Sequence, residues 1–168
     1  MRSLAATAVC LALAGVVTAG CGRGTRVVTP EGEVTVEQQP GGRVTATVTT
    51  EEGTATTEVG AHVTEADLGV PLYPGAEAEH SVTWSAEGQQ EGRLTQVHLV
   101  TPDPPEAVKA FYQQRLPKAQ VALDMSTAEL QMVQMLYEEG AVKRQLVITR
   151  EKGADRTSIA ISRVEDTE

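Results

Sequence analysis

Along most of this chain apolar and polar residues alternate at period two, the rhythm of strands that bury one face. Between Arg23 and Asp67 the only sizeable apolar residues are valines, with Thr and Glu filling the gaps. Val34 and Val36, then Val44, Ala46 and Val48, keep the alternation. Each run follows a glycine turn: Gly32 before Val34, Gly41-Gly42 before Val44, Gly53 before Ala55. This predicts a loose three-strand meander or repeat. Without large side chains it cannot build a core, so it reads either as a spacer that lifts the remainder off a surface or as an edge that docks elsewhere.

The rhythm stops at Val70-Pro71-Leu72-Tyr73-Pro74-Gly75-Ala76, where two prolines fix an extended path and Pro-Gly offers a type II turn. A compact domain is expected from there on. Ala78 to Ala86 and Leu94 to Thr101 read as strands joined around residues 87–92. One helix follows, with Asp103 as N-cap, Pro104 as first helical residue and Glu106 as capping-box partner; Val108, Phe111 and Tyr112 share a face, and Pro117 ends it. A strand from Gln120 to Asp124 comes next. Residues 129–137 fit a helix through Leu130, Val133 and Leu136, but the turn at Gly140 and the matching strands after it, Arg144 to Arg150 and Thr157 to Val164, favour a strand. The expected fold class is α+β: an antiparallel sheet with one helix packed across it, preceded by a short β-hairpin or meander region.

The first residues follow another pattern. Arg2 precedes an uncharged run from Leu4 to Val17 that ends on small residues, the three-part layout of a secretory signal. Kept on the chain, Leu4 to Gly20 would approach the roughly 20 residues that cross a bilayer, but its Ala, Gly and Thr make it weakly apolar. The run closes on Val17-Thr18-Ala19-Gly20-Cys21-Gly22, which resembles the lipobox of bacterial lipoproteins, with Thr18 where Leu is usual. That resemblance implies a signal peptide over 1–20 and a lipidated Cys21. The expected organisation is then a signal peptide at 1–20, a Thr/Glu/Val-rich spacer at 21–67 and an α+β domain at 68–168. The domain is similar to the exported part of many uncharacterised bacterial lipoproteins, a likeness of pattern that brings no activity with it.

Composition narrows the partners. The chain carries 14 Lys and Arg against 23 Asp and Glu, a formal charge of −9. That balance opposes nucleic acid and peripheral adhesion to anionic lipid, both of which rest on clustered positive charge. The membrane contact expected is through acyl chains on Cys21, on the extracytoplasmic side of the cell envelope, with an envelope protein as partner. The second cysteine, Cys10, lies in the signal, so the exported part holds no disulfide.

Chemistry is sparse at this level. His62, His80 and His98 have no ligand partner at the three- or four-residue spacing of a helical metal site. Met125, Met132 and Met135 read as core filler, Met132 and Met135 facing opposite sides of a strand. No Gly-x-Ser-x-Gly elbow or phosphate-binding glycine loop occurs at a strand-to-helix turn. The sequence therefore assigns no catalytic residue, metal ligand or cofactor, and points to a binding or scaffolding module. One alternative is a hydrolase or transferase assembled from distant residues such as His98, Asp103 and Glu106, which needs a carboxylate beside His98. Another is a small-ligand carrier, which needs an apolar cavity between helix and sheet.

Overall fold

The alternation is realised almost throughout. A computed structural model of the chain describes residues 16–18, 24–60, 62–88 and 91–166. Among them, eleven strands form one antiparallel sheet, and two helices lie against it. In chain order the elements are β1 (Val16–Thr18), β2 (Gly24–Thr29), β3 (Gly32–Gln38), β4 (Val44–Thr50), β5 (Gly53–Val59), α1 (Glu65–Leu68), β6 (Glu77–Gly88), β7 (Gly92–Thr101), α2 (Pro105–Arg115), β8 (Gln120–Ser126), β9 (Leu130–Glu139), β10 (Val142–Glu151) and β11 (Thr157–Asp166). Strands β1 to β7 follow one another across the sheet. The chain then crosses through α2 to the far edge and returns as β8, β9, β10 and β11, so that β11 pairs with β7.

The α+β expectation is corrected by this arrangement. The molecule is nearly all-β, with helices of only four and eleven residues. What overturned it is a pairing between distant parts of the chain: Gly53–Val59 of β5 hydrogen-bonds along Val82–Gly88 of β6, so the valine meander continues the same sheet. Residues 130–139 are the strand β9, paired on both sides.

One face of the sheet carries the core. Leu99, Ile159, Ile148 and Val133 stand side by side across β7, β11, β10 and β9, and Val97, Ile161, Leu146 and Met135 form the next row. All eight are buried, and α2 presses Val108, Tyr112 and Leu116 onto them across β9 and β10. Leu68 of α1 and Val70 and Tyr73 of the proline segment close the side nearer β7. These contacts explain why a helix with a modest apolar stripe folds here, since burial of each such side chain contributes about 1.5–3 kcal/mol.

The start of α2 departs from expectation. Its N-cap is Pro104, with no side-chain cap bond, and Asp103 turns away from the helix. The Asp103 carboxylate accepts a hydrogen bond of 2.7 Å from the Tyr73 hydroxyl, and its carbonyl accepts one of 2.6 Å from Thr157 Oγ1. Burial, together with that carboxylate, pushes the Tyr73 phenol up to about 12. Asp103 therefore ties the proline segment to the sheet, a tertiary role that competes with capping.

The opposite face has no helix over it among the described residues. Alternation places Val34, Val36, Val44, Val48, Val59, Val82 and Trp84 there, and Val36, Val48 and Val59 are about two-fifths exposed. Substituting residues on the two faces is expected to separate them. Ile161→Ala should cost about 3 kcal/mol in urea unfolding, while Val36→Thr, β-branched and solvated, should stay within about 0.5 kcal/mol of the parent.

Candidate functional site at the β6 bulge

On the uncovered face, the pairing of β6 with β7 slips by one residue. Ala78 pairs with Leu99 but His80 pairs with His98, which leaves Glu79 as the extra residue of a β-bulge. A bulge sets two residues against one and re-aims their side chains. Glu79 and His80 therefore both confront His98. The two imidazoles stack with centroids 4.6 Å apart and planes 11° from parallel. Glu79 Oε2 lies 3.1 Å from His98 Nδ1.

From the other side, β11 sets Ala160 beside His98 and Ser158 diagonal to it. Ser158 Oγ is 2.6 Å from His98 Nε2, so both nitrogens of His98 have partners. The imidazole is thereby fixed in position between a carboxylate and a hydroxyl. His98 is partly shielded, while Glu79 and His80 are exposed. A hollow of about 910 Å³ that Glu79 and His80 share with Thr64, Leu72, Ser81 and Val97 runs past the bulge towards α1, and His98 does not line it.

The order Ser158, His98, Glu79 is that of a nucleophile, a base and an orienting carboxylate. Acyl transfer also needs amide donors aimed at the developing oxyanion. Ser158 lies on β11, whose amides are shared between the ladders to β7 and β10. The trio can hold or pass a proton, and Glu79, His80 and His98 can share an ion.

The other residues singled out from sequence lie elsewhere. Asp103 is on the core side with Tyr73, and the Glu106 carboxylate accepts a hydrogen bond of 3.0 Å from Gln131, so neither joins His98. Met135 is buried in the core, whereas Met132 pairs with Met125 on the other face. Val108, Tyr112 and Leu116 fill the space between α2 and the sheet that a carried ligand would need. Cys21 lies outside the described residues, as does the signal peptide at 1–20 apart from Val16–Thr18.

The histidine pair had a sequence signal that spacing within one element could not supply. With strands at 78–86 and 94–101 folded about a turn centred near residue 89, His80 and His98 are equidistant from that centre and must meet. The bulge that adds Glu79 has no such signature.

Across the sheet, on the core side, α1 closes a polar cleft of about 490 Å³ lined by Arg43, Glu58, His62, Asp67, Arg93 and Arg163 among others. Thr64 caps α1 through a box with Asp67, and these hydrogen bonds, from the Thr64 side chain first and then its backbone, hold the Asp67 carboxyl below its usual range. The carbonyl end is tied down by arginines: Arg144 Nε donates to Leu68 O at 3.0 Å, and Arg163 donates to Asp67 O at 3.2 Å. Arg144 also lies over the Tyr137 ring, 5.1 Å from its centre.

No family model, curated protein or solved structure matches the chain.

Gly69 ends α1 at φ +67°, and a Cβ there would come within 2.6 Å of the Arg144 guanidinium. Gly69→Ala is therefore expected to lower stability by about 2 kcal/mol in denaturant unfolding. An unchanged midpoint would mean that α1 is not held by Arg144.

Proposed function

We propose that this chain is a lipid-anchored cell-envelope lipoprotein that works by binding, attached to the extracytoplasmic side of a membrane through acyl chains on Cys21. The charged start, the uncharged run and the small residues before Cys21 support the address. Two or more acyl chains would make such an anchor stable where one would not. Only Gly22 and Arg23 separate Cys21 from Gly24, where β2 begins. In this reading, cleavage removes β1 and leaves β2 as the edge strand next to the bilayer, held by a tether of about 10 Å.

The observation that carries binding over catalysis is the setting of His98. It stands on an interior strand of an open sheet face, among side chains that can ligate, while the neighbouring amides serve the ladders. A hydrolase is the second reading, favoured by the contacts that Ser158 and Glu79 make with the two ring nitrogens of His98.

Intact-mass analysis of membrane-extracted protein tests the address. The expected species begins at Cys21 with added acyl mass, which is absent from Cys21→Ala; an unmodified chain retaining residues 1–20 would overturn the proposal. A fluorophosphonate probe tests the catalytic alternative. No labelling of Ser158 is expected, and stoichiometric labelling that Ser158→Ala abolishes would make this a serine hydrolase.

A further inference from the structure

We propose that Glu79, His80 and His98 form a binding site for a divalent transition-metal ion of the zinc and copper class, with Ser158 as a positioning residue for His98. The site goes beyond the envelope reading and does not depend on lipidation of Cys21.

Geometry makes the first case. One ligand atom from each of the three residues falls within 4.8 Å of the other two. A tetrahedral ion with bonds near 2.0–2.1 Å draws its ligands to about 3.4 Å apart. The stack of His80 on His98 has to open so that a nitrogen lone pair of each ring meets the ion, and exposed Glu79 and His80 have room for that rotation. The backbone has done the harder part, since the bulge turns two consecutive residues of β6 towards one residue of β7. On a regular strand, Glu79 and His80 would point to opposite faces.

Donor chemistry selects the ion. Two imidazoles and one carboxylate suit zinc, copper or nickel; calcium and magnesium prefer sites built wholly from oxygen. Three protein ligands leave one position of a tetrahedral ion open to water or to a donor from a bound molecule. Glu79 and His80 are exposed, so such a donor can approach from solvent. A chain of net charge −9 also attracts cations.

The hydrogen bond at the back of His98 completes the arrangement. Metal-bound imidazoles commonly use their second nitrogen to hold an oxygen partner, which sets the tautomer. His98 Nε2 meets Ser158 Oγ at 2.6 Å, and Nδ1 is the nitrogen turned towards Glu79. With the Nε2 proton donated to Ser158, the Nδ1 lone pair points into the trio. An ion placed there replaces the contact between His98 and Glu79 by two metal bonds and leaves the contact with Ser158 intact.

The experiment is calorimetric titration of the chelator-treated, detergent-solubilised full chain with Zn²⁺, and Cu²⁺ spin resonance on the same protein. One equivalent is expected that the His80→Ala/His98→Ala double variant lacks, with hyperfine coupling to imidazole nitrogen. Binding elsewhere, at Cys10 or Cys21, would persist in both proteins and cancel in the comparison. Ser158→Ala should still bind, about tenfold more weakly, while the metal-free variants unfold at the parent midpoint. Identical isotherms for parent and double variant would overturn the site, and an unchanged affinity in Ser158→Ala would overturn the role given to Ser158.

Discussion

Two rows of apolar side chains across β7, β11, β10 and β9 are the constraint on which everything else in this molecule rests. The eight side chains from Val97 to Ile161 lie on one face, and α2, α1 and the proline segment are held by packing on them. A sheet buried on one face has its register fixed by that face, because a slip of one residue would turn every core side chain to solvent. The His80–His98 pairing inherits this fixity: His98 lies between Val97 and Leu99, one from each row, and cannot move along the sheet without breaking them.

The same constraint shapes the opposite face. Residues there are chosen by what the strand needs rather than by what covers it, and threonine and valine meet that need through β-branching alone. Such a surface tolerates a local irregularity, so the β6 bulge sits where it displaces only exposed Glu79 and His80. Of the pair Ala78 and Leu99, which adjoins the bulge, Leu99 belongs to the core and stays in register. The bulge thus joins two regular stretches of ladder, and the convergence of ligating side chains follows from that mismatch.

Local features were readable from sequence and long-range pairings were not. Alternation located β3 to β11 to within a few residues, and Gly153 marked the last turn, because strand rhythm and turn chemistry act over neighbours. The fold class failed because the valine meander looks weak in isolation, and only its pairing with β6 supplies the missing stability. Asp103 was misplaced as a cap because the Tyr73 hydroxyl, thirty residues away, competes for its carboxylate. The short α1 carries its capping pair in Thr64 and Asp67, but four residues are too few to show a periodic face. For the site, His98 was singled out as the centre of the hydrolase alternative, and a carboxylate does stand beside it, though not one of those named with it. The residues that give it chemical interest, Glu79, His80 and Ser158, reach it through a hairpin register, an inserted residue and a strand sixty positions on.

The position of β11 has a bearing on how such a molecule comes into being. The last strand in the chain lies inside the sheet, joining the half that runs up to β7 with the half formed by β8, β9 and β10. Until Thr157–Asp166 has been synthesised, the two halves share no ladder, and both rows of the core are missing their Ile159 or Ile161. Neither half therefore has a closed core by itself, and the two become stable together, through the one strand that both of them border.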